Sequence, residues 1–484
     1  MALPVLIVLV EGLHLRTGNS KWIQLARTWS KALAVLFVIG AVSGTALSLE
    51  FGLLWPTFMR QAGGVIGLPF ALEGYAFFTE AIFLGIYLYG WDRLSPKAHW
   101  LVGIPVALSG MISGAFITIV NAWMNVPTGF TTIQGPDGPI IDQASADPIG
   151  ALFSPMVTTQ IPHVLLSALI AIGAAVAGIY AYAWLKGSRT AYNSAGMIAG
   201  AAMLAVAIPL QWVSGHLSTV KVYEKQPAKF AAAEAVERTG PNQPLRLPGG
   251  IEIPGAVSFL ISFDTDTVVT GLDQIPVEDQ PEKPELVHLA FDVMVGSAIL
   301  LLAAAALYWF GVLRASRRGG ALVPPHWRAA LWLLVAAAPA GFLAVETGWM
   351  VTEYGRQPWV IHGILTTAEA VTTQPGIGAT FVAFMLLYAA LGVTLVWVLL
   401  RLRSEHPDDL ALQRVAAARA WPGELSCSAA VAIARCMRST RATAACCAWR
   451  RSTRASPRRT TPRRAPTSSS PSTASRTTRG RCAR

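Results

Sequence analysis

The 484 residues are 53% hydrophobic and only 13% charged, with a mean hydropathy of +0.47. A soluble globular domain carries about 25% charged residues, so that class is excluded and a chain built for lipid takes its place. The formal charge of +11 does not mark a nucleic-acid binder, because fourteen Arg and one Glu between Trp421 and Arg484 contribute +13 of it and leave the preceding residues near −2.

Apolar stretches of about 20 residues, each long enough to cross the hydrocarbon core as a helix, recur from the N-terminus onward. They predict helices over 1–15 (short), 29–52, 69–91, 99–125, 159–186, 193–216, 286–313, 328–350 and 379–402. The expected fold is all-α: a polytopic membrane bundle of about nine transmembrane helices, forming a core over residues 1–403. Met1–Gly12 lacks both a basic start and a small-residue cleavage site. It reads as the last turns of a first helix whose start is missing or very short.

Charge sorts the loops. Loops 16–28, 92–98, 187–192 and 314–327 carry Arg16, Lys21, Arg27, Arg93, Lys97, Arg189, Arg314, Arg317 and Arg318, whereas 53–68 and 126–158 carry only Arg60. Short cytoplasmic loops hold the Lys and Arg, which puts the first set inside and brings the chain out inside beside Arg401 and Arg403. The long polar segment 217–285 then lies outside, with Pro227–Thr239 expected as a short amphipathic helix. A loop of that length in a compact protein is usually functional or disordered, and its apolar piece Val257–Phe263 favours function. After residue 436 the composition turns to Ser, Thr, Pro, Arg and Ala, and all five cysteines, Cys427 to Cys482, lie within the stretch 404–484. This basic low-complexity tail reads as a shifted reading frame rather than a lipid-binding extension, and no function is assigned to it.

Ionisable groups inside apolar helices are costly and tend to face functional cavities. Glu73 and Glu80 are seven residues apart, so on a helix both carboxylates fall within about 20° of one face, as suits a proton-conducting column or a polarised cofactor site. Glu50 is a weaker candidate of the same kind. His163 lies in the first turns of the fifth helix and Met294 at similar depth in the seventh, which enters from the same side. Imidazole plus thioether is a heme ligand set, although a lone His and Met in a membrane are more often packing or interhelical hydrogen bonds. Arg356 in Gly355-Arg-Gln-Pro-Trp359 suits a buried carboxylate or a heme propionate through its planar fork; with Trp359 it equally suits an interfacial anchor. His216 and His288 flank the long loop.

Several segments resemble subunit I of the cytochrome bd quinol oxidase family, in particular its short-loop, cyanide-insensitive branch. They are Glu50-Phe-Gly, Leu72-Glu-Gly-Tyr-Ala-Phe-Phe-Thr-Glu80, Gly90-Trp-Asp-Arg93, Asn121-Ala-Trp-Met-Asn-Val-Pro127 and Gly355-Arg-Gln-Pro-Trp359. The resemblance implies a bacterial inner-membrane enzyme that oxidises quinol at the periplasmic side and reduces O2 to water, electrogenic but not pumping. It implies His163 and Met294 as axial ligands of a low-spin heme b. Lys229 and Glu234, in a motif similar to that of the quinol loop, would contact substrate; Glu73 and Glu80 would lie near two high-spin hemes (b and d, or b and b). Arg356, with Trp359, would hold heme charge. The partners implied are a second membrane subunit, a small single-span accessory subunit, quinol and O2, with no nucleic acid. The family's first-helix histidine ligand falls before Met1, for which a missed upstream start is the expectation. Its last-helix glutamate ligand has no counterpart in residues 370–404, which hold no acid, and Asp292 replaces a residue that is basic in other branches. Two other classes fit the bare residues: a quinone-linked di-heme electron-transfer protein without O2 reduction, and a proton-coupled transporter.

Overall fold

In lipid every backbone polar group must find its partner within the segment, and the chain answers with helices almost throughout. The computed structural model describes residues 1–135, 138–247, 251–317, 327–372 and 374–404; the basic tail with its cysteines, Arg318 and the side chain of Arg403 lie outside the described residues. The helices are α1 Ala2–Thr17, α2 Ser20–Leu54, α3 Pro56–Tyr89, α4 Pro96–Asn125, α5 Pro148–Ala151, α6 Val157–Leu185, α7 Ala191–Lys225, α8 Pro227–Ala233, α9 Ala256–Ser262, α10 Pro284–Ser316, α11 Arg328–Tyr354, α12 Thr367–Ala370 and α13 Ile377–Ser404. Among the described residues eight of them, α2, α3, α4, α6, α7, α10, α11 and α13, are long and apolar enough to cross a bilayer. The short α1 packs with them. The chain is a multi-pass membrane protein.

Eight of these helices form two four-membered rings. In the first, α1 packs on α2 and α4, and α3 closes the ring against both. In the second, α6 packs on α7 and α11, and α10 closes it against both. Contacts of α4 with α6 and of α2 with α7 join the rings. Small residues permit the close approaches, as is usual where no hydrophobic force acts between helices. A Cβ on Gly200 would fall 2.6 Å from the Gly173 carbonyl, and one on Gly341 would fall 2.9 Å from Ala171 Cα. α13 leans on α2 outside the rings, and none of its most apolar 18 residues is buried.

Several boundaries differ from the sequence expectation. α3 begins at Pro56 rather than near 69, so most of the expected loop 53–68 is helix; Pro69 lies inside it, a tolerated position where neighbouring helices satisfy the freed carbonyl. α2 starts at Ser20, where the Asn19 side chain accepts from the Lys21 N–H at 3.2 Å, and α7 runs on to Lys225. These helices outlast the apolar stretch because polar turns continue them beyond the hydrocarbon. The long loop is ordered by α8, α9 and the antiparallel hairpin of Leu245–Leu247 with Ile251–Ile253. The amphipathic helix expected over Pro227–Thr239 is shorter and exposes only its first turn: Lys229 to Ala233 are all buried. It stops at Glu234 because Ala235 adopts a left-handed φ of 52°, and Val236 N–H turns back to the Ala231 carbonyl at 2.8 Å.

Candidate functional site

The second ring carries His163 on α6 and Met294 on α10, two helices that face each other diagonally across it. His163 lies six residues into α6 against Gly215, which is ten residues from the end of α7. Met294 lies ten residues into α10 against Gly348, six from the end of α11. Both ligand candidates therefore sit toward the end of the ring that bears the long loop. Each faces a glycine: a Cβ on Gly348 would fall 3.2 Å from Met294 Sδ, and one on Gly215 3.5 Å from His163 Cε1. His163 also meets Ser214 Oγ at 3.2 Å and the Gln211 amide nitrogen at 3.1 Å from Nε2.

Above this level a polar chain ties the loop to the Gly355-Arg-Gln-Pro-Trp359 segment. The ammonium of Lys229, itself 4% exposed, donates to Asn125 Oδ1, and Gln226 donates to the same oxygen at 3.1 Å. Asn125 donates to Asn121 Oδ1 at 3.0 Å; Asn121 donates to Glu353 Oε1; Glu353 Oε2 accepts from Arg356 Nη2. Gly355 makes room for this: a Cβ there would lie 2.8 Å from Lys229 Cγ. Trp359 Nε1 donates to Asp279 Oδ1 at 3.1 Å, fastening the far end of the loop to the same segment. Arg356 is buried, yet its Nε and Nη1 have no hydrogen-bond partner among the described residues. An unsatisfied buried donor costs about 1–3 kcal/mol, more when charged, so these nitrogens are open to an acceptor. Burial, and then the neighbouring Arg356, hold the Lys229 ammonium well below its ordinary pKa, with Glu353 opposing.

Glu234 closes α8 on the other side. It is 6% exposed, and burial, reinforced by Asp292, raises its carboxyl to about 7. His288 Nδ1 donates to the Ala233 carbonyl at 2.8 Å and its Nε2 lies 3.6 Å from Asp292. Lys229 and Glu234 are thus brought to one buried helix, but their head groups engage different neighbours: the amide chain for one, the Asp292 side for the other.

The two acids of α3 face α4 in the first ring. Glu80 is buried with its carboxylate against Gly110, where a Cβ would fall 3.0 Å from Oε1. Glu73 is half-buried and accepts from Ser113 Oγ at 3.1 Å. Seven residues further along the same face, Tyr87 donates to Glu11 Oε2 at 2.6 Å, and Glu11 Oε1 meets His99 Nδ1 at 2.6 Å. Glu50 lies on α2, half-buried.

The profile described as cytochrome bd terminal oxidase subunit I matches residues 1–407. The chain belongs to that family. It is similar to the putative cytochrome bd menaquinol oxidase subunit I of Bacillus subtilis (strain 168), 35% identical over 427 residues that cover 84% of this chain and 93% of that protein. The cytochrome bd ubiquinol oxidase subunit 1 of the same organism is 30% identical, with 83% and 88% covered. Among solved structures, the bd oxidase from Geobacillus thermodenitrificans matches with a TM-score of 0.76 and 36% identity, over 84% of this chain and 93% of that one. Within this cytochrome bd subunit, sequence reasoning overlooked the neutral members. Asn121 and Asn125 were visible only as part of a resembling segment, since uncharged amides give no signal of cost in an apolar helix. Gln211 and Ser214 carried none either. Tyr87 was within reach, because it continues the seven-residue spacing of Glu73 and Glu80.

Proposed function

We propose that this chain is the heme- and quinol-binding subunit of a bacterial inner-membrane terminal oxidase, which oxidises quinol at the periplasmic face and reduces O2 to water. The observation that carries this reading is the second ring. His163 and Met294 stand on diagonal helices toward the loop end of the ring, each against a glycine that leaves the side chain room, and buried Arg356 offers two unpartnered nitrogens to an anion. A donor pair across a four-helix bundle is a recurrent heme setting. In this reading His163 and Met294 hold a low-spin heme b, and Arg356 takes a propionate. Two high-spin hemes (b and d, or b and b) complete the set. The hemes, when bound, supply the one-electron steps and the oxygen chemistry.

The chain's own part is to bind, position and move protons. Lys229, fixed by Asn125, offers N–H donors to a quinol oxygen, and Trp359 with Asp279 holds the loop against the segment that carries Arg356. Glu234, a carboxyl poised near neutrality, takes a quinol proton and passes it to the outside. Glu73 and Glu80 lie in line on α3 to bring protons from the inside. Release on one side and uptake on the other separate charge without a pump. The apolar, uncovered faces of α13 and α2 suit a second membrane subunit, with a small single-span subunit as a further partner.

The test is optical. Reduced-minus-oxidised and CO-difference spectra of membranes holding the complex should give a low-spin b signal together with a CO-reactive high-spin signal, with quinol-driven O2 uptake. Low-spin b alone supports the di-heme electron-transfer class, and no heme at all leaves the transporter.

A further inference from the structure

His163 has two ring nitrogens, and only a nitrogen with a free lone pair can bind a metal. Which one is free follows from its neighbours. Ser214 Oγ lies 3.0 Å from the Gln211 carbonyl one turn back on α7, an oxygen that can only accept, so the single hydroxyl proton is spent there. The 3.2 Å contact between Ser214 Oγ and His163 Nδ1 must then be a donation from Nδ1–H to the serine oxygen. The lone pair is left on Nε2, 3.1 Å from the Gln211 amide nitrogen. Gln211 Nε2 also lies 3.2 Å from Nδ1, but no hydrogen bond forms between two donors. The Gln211 side-chain oxygen is buried without a partner among the described residues, so the tautomer is set from the Ser214 side and not by Gln211. Ser214 is itself 7% exposed, beyond the competition of bulk water.

We propose that Ser214 is a positioning residue for His163: by accepting from Nδ1–H it sets the tautomer, leaves the lone pair on Nε2, and raises the basicity of the imidazole. The inference rests on the reading of His163 as a heme ligand. It concerns how that ligand is tuned, not whether it binds. An acceptor on the distal N–H is the general partner of a metal-bound histidine, and its loss weakens metal affinity by about 10–100-fold. A more basic imidazole favours ferric over ferrous iron, so loss of the acceptor raises the potential.

The experiment uses the assembled complex in membranes, with redox titration of the low-spin b signal and its loss to excess apomyoglobin as readouts. Ser214→Ala should raise the midpoint potential and speed heme loss about tenfold, while Ser214→Thr, which keeps the acceptor, should match the parent in both. Should the Ala variant not assemble, Ser214→Cys, whose thiol is a weak acceptor, carries the same direction. A Ser214→Ala complex with unchanged potential and unchanged heme retention overturns the assignment, as does a Thr variant as altered as Ala. A purely packing role would lower the amount of complex without moving the potential of what assembles. His163→Ala separates the two levels: a surviving low-spin b signal removes the ligand reading itself, whereas its loss beside a silent Ser214→Ala removes only the serine's role.

Discussion

Replacing Glu234 by Gln removes the carboxyl that burial holds at about 7, and the consequence is a change in the shape of a pH profile. A base accepts a quinol proton only in its ionised form. With a midpoint near 7, about a tenth of the sites are ionised at pH 6 and about nine-tenths at pH 8. The ratio of kcat to KM for quinol should therefore climb about tenfold across that interval. A carboxyl at its ordinary value would already be about 97% ionised at pH 6 and would give a flat line. The sign is fixed by the direction of the shift: raising the pKa protonates the base on the acid side, so activity is lost as pH falls. Stopped-flow or oxygen-electrode rates on the complex, with heme content measured in parallel, report it. Glu234→Gln should lower the rate and abolish the acid limb while heme content holds. Asp292→Asn should shift the limb to lower pH, because Asp292 reinforces the raised value. A flat parent profile, or an unaltered limb in Glu234→Gln, refutes the role given to this carboxylate.

Gly355→Ala puts a methyl 2.5 Å from the Val351 carbonyl and 2.8 Å from Lys229 Cγ, and overpacking of that kind costs about 1–3 kcal/mol. The lysine stem must move off Asn125, so quinol oxidation should fall about tenfold or more with heme content preserved. Parallel loss of heme would mark a folding defect instead. Gly178→Val places its Cβ 2.7 Å from both Ala338 Cβ and the Leu334 carbonyl, which forces α6 from α11. Thermal denaturation of the membrane complex should show a clear loss of stability, and an unchanged midpoint would contradict the ring packing.

The fold was legible wherever hydrophobicity alone decided it. Long apolar runs marked every spanning helix, and His163, in the first turns of its helix, was placed correctly by that count. The helix ends were less legible, because Pro56 to Leu68 and Leu217 to Lys225 are polar enough to read as loop yet are continued by packing against neighbours. At the site, Glu80 announced itself through the cost of a charge in an apolar helix and Arg356 through its planar fork, whereas Lys229 and Glu234 were marked only by their resemblance to the quinol-loop motif; all four are buried. What no local pattern contained was who meets whom. The chain from Lys229 through Asn125 and Asn121 to Glu353 and Arg356 joins residues more than a hundred positions apart. It depends on α4 ending beside both α8 and the turn after α11. Ser214 is still less visible, since a serine in an apolar helix usually just bonds back to its own turn.

The most direct measurement is the reduced-minus-oxidised spectrum of the Met294→Leu complex. Leucine fills nearly the same space but has no sulfur to offer iron, so the low-spin b band should vanish or turn high-spin while the helices and the partner subunit still assemble. The same band at the same potential in the Leu complex would contradict a heme gripped between His163 and Met294.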